Sequence, residues 1–289
     1  MSILEKILKT KQTECLELKT LESDLKAKLN GLPAPKNFVR SLLSSQEPAI
    51  IAEVKKASPS KGVILEDFDH IKIAKKYESD GAACISVLTD KDYFQGDLNF
   101  LKEIDAECSI PALRKDFIID PLQILEARVS GADAVLLIAA ALDTEKLCSL
   151  LQESLRLNLD VLLEVHNQDE MDSAFEALEQ LTLKHAIPDF SDRVLLGINN
   201  RNLSTFETSL GVTKTLIANN QQKISDLSLA VVSESGIFEP SDIAELSEAG
   251  AKGFLIGESL MREPDLLKRL IETCQENSNL EDGKDSGRE

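Results

Sequence analysis

Residues 130–138, Ser-Gly-Ala-Asp-Ala-Val-Leu-Leu-Ile, join the end of a helical stretch to a short apolar run. The glycine suits the left-handed position that ends a helix, and the run after the aspartate is typical of a buried strand. The same Gly-Ala junction recurs at 81–82 and at 250–251, again before apolar runs. The recurrence predicts a repeated unit in which a helix returns the chain to a parallel strand.

Eight apolar runs of this kind occur along the chain, separated by amphipathic helical stretches. They lie at 49–54, 83–87, 111–115, 134–138, 160–164, 194–198, 229–233 and 253–256. Strands that are buried on both faces and joined by helices form parallel sheets, and eight of them can close. The sequence therefore predicts an α/β fold, a (β/α)8 TIM barrel. An open doubly wound sheet is the competing architecture, but no G-x-G-x-x-G motif follows the first run.

The residues before the first run form a helical extension. Apolar positions within residues 2–30 have helical spacing, and a Pro-containing stretch leads from them into a short segment over 38–43. We expect one barrel domain over residues 1–275, which includes an N-terminal helical extension of about 1–48.

Two stretches depart from the repeat. Residues 185–191, which include a proline, are expected to lengthen the loop before the sixth strand. Residues 276–289 are almost entirely polar, which predicts a disordered tail.

The composition limits the partners of the chain. Lysine and arginine number 32 against 50 aspartates and glutamates, and the formal net charge of -18 disfavours binding to nucleic acid. No apolar run reaches the roughly 18 residues that span a membrane. Five cysteines without a C-x-x-C pair, and an acidic N-terminus without signal-peptide character, indicate a cytoplasmic protein. We expect a monomer or a weak homo-oligomer.

Polar residues stand at the C-terminal ends of the predicted strands, where barrels of this type place their chemistry. Glu53 and Lys55 are two residues apart in the first strand and project from one face. One interior charge could be a structural ion pair. The two together, followed by Ser58, are better explained as groups that face a ligand.

The third and fifth strands end in residues suited to proton transfer. Lys115 is a natural proton donor, and we expect burial and a cationic neighbour such as Lys55 to lower its pKa toward neutrality. Glu164 could serve as a base. His166 is in the same register, but the three histidines have no metal-ligand spacing. No metal is therefore expected, and we expect His166 to be structural.

The last three strands end in groups suited to an anion. Asn199 and Arg201 share a face and offer an amide and a guanidinium fork. Gly236 and Gly257 follow the next two strands, where backbone N–H groups can approach a phosphate. Together these residues predict a phosphate site.

Taken together, the strand-end strings resemble the indole-3-glycerol-phosphate synthase family. The matching strings are I-A-E-V-K-K-A-S-P-S-K-G, S-V-L-T-D-K-D-Y-F-Q-G, L-R-K-D-F-I-I-D-P, L-L-E-V-H, G-I-N-N-R-N-L, S-E-S-G-I and I-G-E-S-L-M. They run from residue 51 to residue 261, with one at every strand end except the fourth. The N-terminal extension also fits the family.

The resemblance implies a carboxy-lyase of tryptophan biosynthesis that closes, decarboxylates and dehydrates an anilino-deoxyribulose phosphate, a small sugar-phosphate substrate, without a cofactor. It implies that Lys115 is the general acid of ring closure and that Glu164 is a base in later proton transfers. Lys55 would meet the carboxylate and assist the loss of hydroxide. The other implied catalytic positions are Glu53, Asn199, Glu234 and Ser235. The implied substrate-binding positions are Phe94 and Phe117 for the ring, and Ser58, Arg201, Gly236, Gly257 and Glu258 for the phosphate, with Glu258 acting through its backbone.

Two alternatives stay open at this point. The first is a related phosphate-binding barrel, such as phosphoribosylanthranilate isomerase or the tryptophan synthase α subunit, but neither explains Lys115 together with the Glu53 and Lys55 pair. The second is a barrel that binds sugar phosphates without catalysis. The loss of a catalytic position would favour it, yet every position that can be matched is occupied.

Overall fold

The computed structural model describes residues 1–45, 48–185, 189–203 and 205–285, and its core is a closed barrel of eight parallel strands. Each strand pairs with the next along the chain, and the last pairs with the first. This confirms the predicted (β/α)8 barrel. The strands are β1 (Ile50–Val54), β2 (Cys84–Leu88), β3 (Ala112–Lys115), β4 (Ala134–Ile138), β5 (Asp160–Val165), β6 (Val194–Asn199), β7 (Ala230–Glu234) and β8 (Gly253–Ile256).

Three helices form the N-terminal extension: α1 (Ile3–Lys19), α2 (Glu22–Lys28) and α3 (Phe38–Leu43). Helix α3 packs Phe38 and Leu42 against the apolar side chains inside the barrel. The backbone N–H of Val39 also donates to Asp160, at the first residue of β5. Helix α3 therefore closes the N-terminal end of the barrel.

The remaining helices alternate with the strands or follow the last of them. Aspartates such as Asp69 and Asp143 cap helix starts by accepting from backbone N–H groups, and Pro121 and Pro240 occupy first-turn positions. The helices are α4 (His70–Ser79), α5 (Lys91–Phe94), α6 (Leu98–Glu107), α7 (Pro121–Val129), α8 (Thr144–Arg156), α9 (Gln168–His185), α10 (Gly211–Asp226), α11 (Pro240–Glu248), α12 (Glu258–Arg262) and α13 (Leu266–Asp285).

The glycines of the repeated junction have the backbone that the sequence predicts. Gly81, Gly131 and Gly250 have φ values of 98, 84 and 111°. This left-handed region is open to glycine at little steric cost. Each of the three turns the chain from a helix toward the following strand.

Side chains alternate along the strands between two apolar layers. Residues such as Ile51, Leu113 and Leu162 pack inside the barrel with helix α3, whereas Ala52, Val87 and others on the opposite faces pack under the helices. Because the alternation has a period of two, the interior positions at the C-terminal ends are occupied by Glu53, Glu164 and Glu234. The register thus places charged groups at the C-terminal end of the barrel interior, next to the apolar side chains that fill the rest of it.

Some details differ from the sequence prediction. A short hairpin pairs Ala57–Ser58 with Gly62–Val63, and Ala139–Ala141 form a 3₁₀ turn. Helix α13 continues to Asp285, whereas the sequence suggested a disordered tail over 276–289, of which 286–289 lie outside the described residues. Residues 186–188 of the expected long loop also lie outside them. The single domain over 1–275 stays a prediction.

No helix in the described part of the chain combines the length and the apolarity that crossing a bilayer requires.

Candidate active site

All the residues predicted for the site line one cavity at the C-terminal end of the barrel. The cavity holds the strand-end lysines and carboxylates, the two phenylalanines and the expected phosphate-binding positions. Helix α1 also contributes Ile3, Leu4 and Ile7 to its walls. The N-terminal extension therefore contacts both ends of the barrel, since α3 closes the opposite one.

Lys115 is the centre of the charged part of the cavity. Its Nζ atom lies 3.5 Å from Glu164 Oε2, 3.5 Å from Glu234 Oε2 and 3.8 Å from Glu53 Oε2. These carboxylates come from β5, β7 and β1, and each is at most 3% exposed. One ammonium group is therefore shared by three buried carboxyl groups.

This arrangement overturns the prediction that the pKa of Lys115 is lowered. Burial does act in that direction, but the negative charges of Glu164, Glu234 and Glu53 outweigh it and raise the pKa well above its usual value. The prediction rested on burial and one cationic neighbour, whereas the fold brings three carboxylates from separate strands to Lys115. Lys115 is consequently an ammonium group at neutral pH, which is the protonation state that a proton donor needs.

The three carboxyl groups around Lys115 are not equivalent. Burial and the charge of Glu164 raise the pKa of Glu234 well above the ordinary range. For Glu164, burial is outweighed by Lys115 and His166, which lower its pKa. Like charges at close range do not ionise together. Of the two, Glu164 is therefore the carboxyl group that ionises more readily.

Lys55 and Glu53 form the charged pair that the sequence predicts at the end of β1. The Lys55 ammonium donates to Glu53 Oε1, and both residues lie in the cavity. Burial is outweighed by Lys55 and Lys115, so the pKa of Glu53 is lowered and the group is ionised. Gly257 lies against this carboxylate, which leaves no room there for a Cβ atom. Gly257 thus supports Glu53 as well as belonging to the expected phosphate site.

Phe94 and Phe117 form one wall of the cavity. Their ring centroids are 6.0 Å apart and the rings are tilted by 38°, an ordinary geometry for interacting aromatic side chains. Leu88, Leu136 and Ile138 line the cavity as well. This end is apolar and suits an aromatic ring.

Phe94 follows β2, and four strands around the closed barrel Arg201 follows β6 and lines the same cavity. Its guanidinium donates to Ser60 Oγ at 3.2 Å and to Glu258 Oε2 at 3.1 Å. The other carboxylate oxygen of Glu258 accepts from Arg262 at 3.2 Å. The structure thus places the Glu258 side chain directly on the expected phosphate-binding arginine, whereas the family resemblance implied a role for this residue through its backbone only.

The loops around Arg201 are held by a buried amide. Asn200 donates to Ser233 Oγ and to the carbonyl of Ser235, and it accepts from the N–H and hydroxyl of Thr213. Ser235 and Gly236 both have positive φ, so the chain turns sharply after β7. Sequence analysis missed Asn200 as a positioning residue, although its place between Asn199 and Arg201 was a signal.

Lys11 is the most unexpected polar residue near the site. It lies on α1, is 2% exposed, and its Nζ atom is 2.8 Å from Asp90 and 2.9 Å from Asp116. Asp90 caps the short helix α5 that carries Phe94, and Asp116 lies between Lys115 and Phe117. A single ammonium thus ties the extension to both segments of the aromatic wall. The helical spacing gave no signal that this lysine is buried.

The cavity combines three kinds of chemistry. An apolar end suits an aromatic ring, a central group of two lysines and three carboxyl groups suits proton transfer, and Arg201 suits an anion. The family model described as indole-3-glycerol phosphate synthase matches residues 4–272, which include every strand of the barrel and every residue predicted for the site.

Proposed function

The chain belongs to the indole-3-glycerol phosphate synthase family, and from this premise we propose how its residues perform the reaction. The family consists of carboxy-lyases of tryptophan biosynthesis that convert 1-(2-carboxyphenylamino)-1-deoxy-D-ribulose 5-phosphate into indole-3-glycerol phosphate. The match over nearly the whole chain decides against the related phosphate-binding barrels. The roles of individual residues are our proposal.

The observation that carries the proposal is the position of Lys115. Its ammonium lies among three buried carboxyl groups, in the cavity that Phe94, Phe117 and Arg201 also line. We place the anthranilate ring of the substrate against Phe94 and Phe117, and the phosphate near Arg201. The substrate carbonyl then lies in the middle of the cavity, within reach of Lys115.

Ring closure is the first step. The ring carbon that bears the carboxylate attacks the carbonyl carbon, and the carbonyl oxygen takes a proton from Lys115. Because Lys115 is fully protonated and buried, it stabilises the negative charge that develops on this oxygen before the proton moves. The new carbon–carbon bond leaves a positive charge on the nitrogen side of the ring.

Decarboxylation and dehydration follow. Loss of carbon dioxide returns its bonding electrons to the ring, which becomes aromatic again. Lys55 then protonates the hydroxyl group, which leaves as water, and Glu164 accepts the proton released when the indole double bond forms. Two protons are donated and one is accepted, so the reaction takes up one proton overall, as the loss of a carboxylate as carbon dioxide requires.

The remaining site residues bind and position. We propose that Glu53 holds Lys55 in place, that Glu234 presents its protonated carboxyl group to the substrate, and that Asn199 and Ser235 donate hydrogen bonds near the reacting carbons. Ser58, Gly236, Gly257 and the backbone of Glu258 surround the phosphate with Arg201. Glu258 must first release Arg201, and its contact with Arg262 gives the displaced carboxylate a second partner.

We also propose that the chain acts in the cytoplasm, as a monomer or a weak homo-oligomer, and does not bind nucleic acid. The net charge of -18 supports the last point, because an acidic protein repels a phosphate backbone.

Turnover without metal tests the proposal. The protein, dialysed against a chelator, receives the anilino-deoxyribulose phosphate alone, and indole absorbance is followed. We expect full activity without added metal or nucleotide. Activity that disappears with the chelator and returns with a divalent metal would contradict the proposed mechanism.

A further inference from the structure

We propose that His166 is a positioning residue of the active site, whose imidazolium, held by Glu170, keeps Glu164 in its ionised form and so decides which of two neighbouring carboxyl groups is the base. This inference rests on the proposed function, because it concerns the residue that we assign as that base. The sequence alone suggested a structural role for His166. Its contacts with Glu164 and Glu170 point to a role in setting the charge of the active site as well.

His166 lies between two carboxylates just beyond the end of β5. Its Nδ1 atom is 2.9 Å from Glu170 Oε2, and its Nε2 atom is 3.3 Å from Glu164 Oε1. The side chain is 8% exposed. The imidazole therefore bridges the first turn of α9, which carries Glu170, and the interior of the barrel.

The partner on α9 is itself fixed. Glu170 Oε2 also accepts from the backbone N–H of His166 at 2.8 Å, and Glu170 Oε1 accepts from the side-chain amide of Asn167 at 2.6 Å. The Asn167 side chain in turn accepts from the backbone N–H of Glu170 at 3.0 Å. A carboxylate with these donors around it is an acceptor only, so the Nδ1 atom of His166 must carry its hydrogen.

The second ring nitrogen then decides the charge. If Nε2 lacked a hydrogen, a nitrogen lone pair would lie 3.3 Å from a Glu164 carboxylate oxygen, and the two negative ends would repel each other. Among the described residues Nε2 has no hydrogen-bond partner, so its contact with Glu164 is one of charge and not a hydrogen bond. A doubly protonated ring removes this conflict. Burial opposes the charge, yet Glu164 and Glu170 raise the pKa of His166 to about 10.

The imidazolium matters because the other charges around Glu164 are shared. Lys115 on β3 lies near Glu164, Glu234 and Glu53 alike, so it does not favour ionisation of one over the others. Each of these carboxyl groups, when ionised, makes ionisation of its neighbours less favourable. Among the described residues, His166 is the cation that contacts Glu164 and neither Glu234 nor Glu53. It therefore favours ionisation of Glu164 over ionisation of Glu234.

The test compares two substitutions at position 166 with a matched control. His166→Asn can keep a donor toward Glu170 but loses the charge at Nε2, and His166→Gln can keep a neutral donor toward Glu164. We expect the acid limb of kcat/KM against pH to move to higher pH in both variants, by about one unit or more in His166→Asn. His70→Asn, which removes the contact between His70 and Glu103 outside the site, should leave the limb in place.

The direction follows from the role of a base. Removing the imidazolium raises the pKa of Glu164, so more of the base is protonated at a given acidic pH and activity falls sooner as the pH falls. An acid limb that coincides with that of the wild type, in a His166 variant that still turns over, would overturn the proposal.

A second measurement does not depend on activity. The chain has three histidines, so His70→Asn and His185→Asn identify the signals of the other two rings and leave those of His166. The ring nitrogens of wild-type His166 then report its charge by NMR during a pH titration. We expect a cationic ring throughout the neutral range. A neutral ring at pH 7.5 would overturn the proposal even if the variants do not fold. Failure of the wild type to turn over the substrate would instead contradict the proposed function and leave the NMR result to decide the charge of His166.

Discussion

The ammonium of Lys11 lies 2.9 Å from the carboxylate of Asp116, so that the N-terminal helix α1 is paired directly with the residue that follows Lys115. Lys11 pairs with Asp90 as well. Both aspartates are buried. The N-terminal extension is thus joined by ion pairs to the C-terminal end of the barrel, where the candidate active site lies.

Replacing Lys11 with Met should strongly destabilise the protein. The substitution leaves Asp90 and Asp116 as buried carboxylates without their shared cation, and breaking a buried pair in this way costs about 3–5 kcal/mol. Denaturant unfolding monitored by circular dichroism measures the loss. Lys9→Met, at an exposed position of the same helix, is the control and should change the unfolding free energy by less than about 0.5 kcal/mol. Equal stabilities for the two variants would show that the ion pairs contribute nothing.

The ionisation of Asp116 should make the stability of the folded protein depend on pH. Burial is outweighed by Arg114 and Lys11, which lower its pKa from 3.8 to about 2. A carboxyl group with a lowered pKa in the folded state contributes stability above its unfolded pKa and loses it as the pH falls. The unfolding free energy should therefore drop between pH 4 and pH 2, and this drop should be smaller in Asp116→Asn than in the wild type. An identical slope in the two proteins would contradict the assignment.

Arg201→Ala should weaken the binding of the substrate and of inorganic phosphate together. The guanidinium is the cation we place at the phosphate, and a remote phosphate supplies much of the energy that positions the reacting carbons. Calorimetric titration with inorganic phosphate and the KM of the substrate are the two readouts. Arg40→Ala, whose exposed side chain pairs with Asp192, is the matched control. Unchanged affinities in Arg201→Ala would mean that the phosphate site has been misplaced.

Glu258→Gln should have the opposite effect on inorganic phosphate. The Glu258 carboxylate occupies Arg201 and competes with an incoming anion. Removing the charge while keeping the shape should tighten phosphate binding by up to about fivefold, the equivalent of roughly 1 kcal/mol for a partly exposed pair. Weaker binding in Glu258→Gln would show that the carboxylate assists the site rather than competing for it.

The fold was predictable because its signals are local. Each Gly-Ala junction combines a helix end with the start of a strand, and the three junction glycines have the left-handed backbone that this requires. Strand ends in a barrel meet at one edge. The position of Lys115 at the end of β3 therefore placed it near Glu53 and Glu164 without any knowledge of the contacts.

What could not be predicted depends on contacts between distant residues. The predicted direction of the Lys115 pKa shift was wrong because three carboxylates from different strands determine this pKa. Their distances from the Lys115 ammonium depend on the fold and cannot be read from any one strand. Burial of Lys11 was missed because its partners stand on two later loops. The pairing of Arg201 with Glu258 joins residues 57 positions apart, and only the folded barrel brings their side chains together.

The central claim is that Lys115 donates the proton of ring closure, whereas Lys55 acts later. Single-turnover experiments with quenched samples test it most directly, by following carbon dioxide and indole formation in Lys115→Met and Lys55→Met, with Lys56→Met as the control for a neighbouring lysine. We expect Lys115→Met to slow both products together, by a factor of about 10² to 10⁴, because closure precedes both losses. In Lys55→Met, carbon dioxide release should outrun indole formation. Near-normal formation of both products in a folded Lys115→Met would contradict the account.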